Sequence, residues 1–235
     1  MEIHISISKI RKYAVSASGD TVEVVERPNG GLSVVIADGQ SSGKGAKTVS
    51  SMVVRKVIGL LAEGVRDGAA ARAASDALFT ERGGKVSATL NIISIDQITQ
   101  TVVITRNNPS PALIALNGEI RILEEESRPV GFYRGTRPVI SEIDLEPGLI
   151  ALVFTDGLVH AGKRRGEPMD AVTSFRRLVE DDQPSAQVIA DSLLEEAVRL
   201  DDQRPVDDIS VVVVQVVPRT GDHVRRMTVS LPMDS

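Results

Sequence analysis

The chain contains no cysteine and no tryptophan, and only 3 of its 235 residues are histidine. Disulfides, thiolate metal sites and cysteine nucleophiles are thereby excluded, and a histidine-rich metal centre is disfavoured. Long apolar runs are missing as well. A helix needs about 18 to 20 consecutive apolar residues to cross a bilayer, and the start of the chain lacks the basic-then-apolar order of a secretory leader. The expectation is a soluble, cytoplasmic protein with no membrane partner. A concentrated positive surface is also absent: formal net charge is −5, with Lys and Arg scattered along the chain. Nucleic acid is therefore an unsuitable partner, because affinity for a phosphate backbone needs clustered cations. Any metal must be held mainly through oxygen, which favours Mg2+ or Mn2+.

Short apolar segments separated by turn formers make up most of what is present. Ile3 to Ser8 alternates, and Tyr13 to Ala17 and Thr21 to Glu26 are further short candidates; together they predict an antiparallel meander. Arg27 to Gly31 reads as a hairpin loop, and Leu32 to Ala37 as a strand apolar on both faces, ending at Asp38-Gly39. From Ala46 the period becomes helical, with Val49, Val53, Val57 and Leu61 on one stripe. A second helix is predicted from Asp67, a candidate N-cap, to Thr80. Strands follow at Ser87 to Ile95, Thr99 to Thr105, Ala112 to Leu116 and Glu119 to Leu123, the last two joined by the hairpin dipeptide Asn117-Gly118. Further strands occupy Pro138 to Leu145 and Leu149 to Phe154, the latter ending on Thr155-Asp156-Gly157. Helices are predicted over Met169 to Glu180 and over Ser185 to Leu200, with Ser185 as N-cap. Asp207-Asp208 then precedes Ile209 to Val217, apolar at nearly every position and so expected to lie inside a sheet.

Grouped strands and paired helices, without strict alternation, predict an α+β fold of two packed, mainly antiparallel sheets flanked by helices. The length suits one domain with a full core. Its expected extent is residues 1–218, with 219–235 as a C-terminal tail or edge strand.

Three apolar strands meet acidic residues at their ends: Asp38, Asp156, and Asp207 with Asp208. Any one of them alone reads as a turn former or solvated charge. Together, without an evident histidine base or nucleophile elbow, they suggest carboxylates converging on hard divalent cations, and phosphoester hydrolysis is the chemistry that fits.

The ordered motifs resemble the metal-dependent serine/threonine phosphatases of the PP2C (PPM) superfamily, in the bacterial branch of SpoIIE, RsbU and RsbX. The matching pieces are Ser18-Gly19-Asp20, ADGQSSGKGA at 37–46, SATLNIISID at 87–96, NNPSPALI at 107–114, RPVGF at 128–132, LEPGLIALVFTDGLVHA at 145–161 and PVDDISVVVVQV at 205–216. The resemblance implies an α-β-β-α sandwich and a two-ion Mn2+ or Mg2+ centre. In it Asp38 bridges both ions, the Gly39 carbonyl binds one, Asp156 and Asp207 hold the other, and Asp20 is an outer ligand acting through water. Asp208 is implied as the orienting neighbour of Asp207. The implied reaction is direct attack by metal-activated water on phosphoserine or phosphothreonine. The implied substrate is a STAS-domain anti-anti-sigma or stressosome protein, acted on by a stand-alone phosphatase without a sensor domain. The helices over 46–83 are a possible regulatory switch in this branch.

The sequence departs from the family at Gln40-Ser41-Ser42, in the turn at Asn107 to Pro111, which lacks a histidine, and at His160, where the family often has Glu. Competing readings are weaker. Gly39 to Lys44 imitates a phosphate-binding loop but has three residues between its glycines and no Ser or Thr after the lysine. His160 could donate a proton to a leaving oxygen or simply face solvent, and Ser41 and Ser42 have no identifiable base. A non-catalytic, phosphatase-like binding module is the alternative of a different class; retained acidic ligands speak against it.

Overall fold

The computed structural model describes residues 1–180 and 184–232. In chain order it contains β1 (Glu2–Ile10), β2 (Asp20–Glu26), β3 (Leu32–Gly39), α1 (Gly43–Ala62), α2 (Asp67–Arg82), β4 (Ala88–Asp96), β5 (Thr101–Asn107), β6 (Ala112–Leu116) and β7 (Glu119–Leu123). β8 (Val139–Asp144), β9 (Ile150–Phe154), α3 (Gly157–His160), α4 (Ala171–Glu180), α5 (Ala186–Leu200) and β10 (Ile209–Val217) follow. One sheet has the order β1-β10-β9-β6-β7 and the other β2-β3-β4-β5-β8. Every neighbouring pair is antiparallel.

Strand period sorts the side chains into layers. In β3, Val34 and Ile36 face the opposite sheet, while Val35 and Ala37 face α1 and α2. In β10, Val212, Val214 and Val216 fill the space between the sheets, and Val211 and Val213 pack under α5. Both strands need apolar residues at successive positions because both their faces are covered. The result is the expected α-β-β-α sandwich. On α1 the predicted stripe is the buried face, Ala46, Val49, Val53, Val57 and Leu61. Ser185 caps α5 as expected, its hydroxyl accepting from Val188 N at 3.3 Å. Asn117 and Gly118, at φ 52° and 79°, make the two-residue turn between β6 and β7.

Several expectations are corrected. The first strands do not form a meander: β1 joins the other sheet, pairing with β10 from Glu2↔Val217 to Ile10↔Ile209. It covers an edge of β10 that would otherwise stay open, which local sequence pattern cannot announce. Tyr13 to Ala17 is turn and bend, because Ala14 is left-handed at φ 63° and Tyr13 N donates to Pro205 O at 2.9 Å. Asp67 is the first residue of α2 and not its cap; its carboxylate pairs with Arg27 at 2.8 Å. Short α3 and a single 3-10 turn at Lys163–Arg165 were not expected. Residues 218–232 form no strand and run as an exposed tail, with Arg225 bound to Glu26 at 2.6 Å and to the Gly30 carbonyl at 2.8 Å. The end of the expected tail, 233–235, lies outside the described residues.

Candidate metal centre

Asp38 occupies the next position on the face of β3 that carries Val34 and Ile36, so its side chain emerges at the end of the space between the sheets. Its partner across the ladder is Asp20, at the start of β2. From the opposite sheet, Thr155 follows β9 and Ser210 lies near the start of β10. Their hydroxyls donate to Asp20 Oδ2 at 3.0 and 2.6 Å. Asp20 is fully buried, and its Oδ1 has no hydrogen-bond donor among the described residues. Asp38 faces it across the ladder.

Asp156 stands at the N-cap position of α3 just beyond β9, its carboxylate making no cap hydrogen bond, and Asp207 lies in the loop before β10. Donor atoms of Asp156, His160 and Asp207 all fall within 4.8 Å of one another. Asp38 is pushed up to about 9, first by burial and then by the charges of Asp20, Asp156 and Asp207. Asp20 rises to about 6 through burial, against the hydroxyls of Ser210 and Thr155 that favour its charged form. Asp207 is also raised, chiefly by burial. Carboxylates held together in this way are costly unless a proton or cation lies among them. The clustered carboxylates and the orphaned Asp20 oxygen suit hard divalent ions.

A pH dependence follows from Asp38. Its folded pKa, about 9, exceeds the ordinary 3.8 of the unfolded chain. The folded state therefore retains a proton that the unfolded state has lost, and stability falls as pH rises through that interval. In chelator, wild type and Asp38→Asn should melt together near pH 4, and the variant should melt several degrees higher near pH 8. An equal gap at both pH values, followed by circular dichroism, would contradict this electrostatic assignment.

All the acidic residues picked from the sequence thus lie around one end of the sandwich. Gly39 lies there too, but its role is close approach and not a turn: a Cβ on it would sit 2.1 Å from the Ala46 carbonyl oxygen. Gly157 is constrained in the same way, 2.0 Å from the Asp208 carbonyl oxygen. Asp208 is no mere neighbour of Asp207. Its oxygens accept from Lys12 N at 2.9 Å and Gly19 N at 2.7 Å, clamping the loop that delivers Asp20.

Other contributors were missed in the sequence. Buried Asp201 accepts from Gly162 N and Val206 N, both at 2.9 Å, and so ties the loop after α3 to the loop carrying Asp207. Its next two residues, Asp202 and Gln203, are left-handed at φ 53° and 62°, a costly conformation that this tie helps to hold. Lys9 and Lys47 both donate to the Asp20 carbonyl, at 2.7 and 2.9 Å. Lys44, the lysine of the false phosphate loop, is exposed. Asn108 donates to the Phe154 carbonyl at 3.1 Å, steadying β9 just before Asp156.

Comparison with known proteins agrees with this architecture. Stage II sporulation protein E of Bacillus subtilis (strain 168) is 22% identical over 243 residues, covering 98% of this chain but only 28% of that protein. The chain thus spans under a third of that relative's length. The structure of the PP2C phosphatase domain of SpoIIE from Bacillus subtilis, with a fragment of its regulatory domain, superposes with a TM-score of 0.78 at 21% identity, over 92% of this chain and 64% of that one. The catalytic domain of the serine/threonine phosphatase PstP, solved with 2 manganese ions, gives a TM-score of 0.68 at 16% identity, over 92% and 99%. These likenesses establish a shared fold. The family model for Stage II sporulation protein E (SpoIIE) matches residues 28–217, and the chain belongs to that family.

Proposed function

We propose that residues 1–218 form the catalytic domain of a metal-dependent protein serine/threonine phosphatase, working in the cytoplasm with two Mn2+ or Mg2+ ions. The observation that carries this reading is the convergence of Asp38, Asp156 and Asp207 beside the buried, unpartnered oxygen of Asp20. Family membership and the manganese bound by PstP support it.

In this reading Asp38 would contribute to both ions, the Gly39 carbonyl to one, and Asp156 and Asp207 to the other. Asp20 acts as an outer ligand. Divalent ions held there would supply a water acidified toward neutral pH and would neutralise charge on phosphoryl oxygens. The chain's own groups keep the acids in place. Thr155 and Ser210 donate to Asp20 and hold it in place, and the reaction in this reading is direct attack by water without a phosphoenzyme.

The substrate in this proposal is phosphoserine or phosphothreonine on a STAS-domain protein of a sigma-factor or stress switch. Beside the Asp207 loop lies a cleft of about 400 Å3, lined by Arg164, Arg165 and Arg204 among others. Asp201 and Asp202 line it too, and Arg165 is paired with Asp202 at 2.8 Å, so its remaining positive charge would draw a phosphoryl group toward the centre. The test is a panel of phosphorylated STAS-domain proteins and unrelated phosphopeptides, assayed with Mn2+. Manganese-dependent release of phosphate, fastest on a STAS protein, is expected. Equal rates on all substrates would refute the partner assignment, and no release from any would refute the enzyme.

A further inference from the structure

The geometry points to His160 as a nitrogen ligand of the ion held by Asp156 and Asp207, making that position a mixed nitrogen and oxygen site that prefers first-row transition ions over magnesium. This inference rests on the metal-dependent reading above. It concerns a residue that the sequence presents only as a surface histidine or a proton donor.

The placement comes from the single turn of α3. Asp156 stands at its N-cap position and His160 lies four positions on, so the two side chains share one face. The turn is pinned by His160 N donating to Asp156 O at 2.9 Å and by buried Gly157 and Leu158. The imidazole Nδ1 stands 3.8 Å from Asp156 Oδ2, beyond hydrogen-bonding distance, and the ring makes no hydrogen bond among the described residues. An imidazole beside a carboxylate without bonding it is free to turn a lone pair to a third group.

The spacing suits a shared ion. Donors about 2.1 Å from a metal lie roughly 3 Å apart when adjacent and about 4.2 Å apart when opposite. The 3.8 Å separation falls inside that span. The cluster's outer limit of 4.8 Å needs a contraction of about half an ångström, which half-exposed side chains can make. Nearby, the orphaned, fully buried Asp20 Oδ1 independently marks this end of the sandwich as lacking a positive partner.

Donor chemistry gives the consequence. Magnesium demands near-ideal octahedral oxygen coordination and retains its waters, whereas imidazole suits zinc, copper, iron and nickel, with Mn2+ at the weak end of the first-row order. An imidazole donor also adds no negative charge to an already crowded acidic set, as a further carboxylate would. Both effects act against magnesium.

The test uses untagged full-length protein loaded with Mn2+ and examined by pulsed electron paramagnetic resonance for coupling to 14N. Wild type should show imidazole nitrogen coupling, and His160→Gln should lose it while still binding manganese and melting like wild type. By calorimetry, His160→Gln should bind Mn2+ at least about tenfold more weakly, with Mg2+ affinity changed far less. Manganese bound without nitrogen coupling in wild type would overturn the inference and leave the metal-dependent reading standing. Failure to bind manganese at all would overturn both. Coupling that persists in His160→Gln would assign the nitrogen elsewhere and also overturn it.

Discussion

Asp38→Asn should lower phosphatase turnover by about a thousandfold or more without loss of the fold. Asp38 is the acid most burdened by its neighbours, since Asp20, Asp156 and Asp207 all add their charge to the effect of its burial. In the proposed centre it alone serves both ions, so its neutralisation weakens each. Transition-state stabilisation by bound metal amounts to several kcal/mol, and each 1.36 kcal/mol is a factor of ten, which gives about three orders of magnitude. Packing changes little, because Asn has the same shape as Asp. Steady-state hydrolysis of a phosphoserine peptide, with circular dichroism on the same sample, checks both halves. Turnover within tenfold of wild type would contradict the bridging role.

Asp208→Ala should fail in the opposite manner, by losing stability. The Asp208 carboxylate is 4% exposed and accepts from the main chain at Lys12 and Gly19. Its removal leaves two sheltered N–H groups unpaired, at about 1–3 kcal/mol each. A melting temperature lower by roughly 5 °C or more follows for a domain of this size. Asp207→Ala should instead melt close to wild type and lose metal affinity. The two adjacent acids are thereby separated: Asp208 builds the loop that presents Asp20, and Asp207 is the one proposed to serve the ions. A melt of Asp208→Ala within a degree of wild type would refute its clamping role.

Much of this arrangement is visible in the sequence because the governing patterns are local. An apolar run ending in Asp-Gly marks both β3 and β9, and the even apolarity of Ile209 to Val217 marks an interior strand. Period-two alternation then places Asp38 on the face between the sheets. What escaped depends on contacts between distant segments. The pairing of β1 with β10 joins the two ends of the chain, and no nearby residue signals it. Asp207 and Asp208 have identical chemistry, and only the loop around Lys12 and Gly19 decides which one turns inward. Lys44 carries the Gly-Lys pattern, yet of these two lysines, one turn apart, it is Lys47 that reaches the Asp20 carbonyl. Asp201 reads as an ordinary loop residue, and its role emerges only once Gly162 and Val206 are brought beside it. The turn carrying His160 is too short for helical periodicity, but its four-residue spacing from Asp156 was a usable signal.

Whether Asp38, Asp156 and Asp207 together hold the ions is settled most directly by counting bound manganese in chelator-stripped protein titrated by calorimetry. Two Mn2+ per chain in wild type, with hydrolysis of phosphoserine peptide appearing as the ions bind and both lost in Asp38→Asn, is the expected result. Hydrolysis by the stripped protein, or equal manganese uptake by Asp38→Asn, would contradict it.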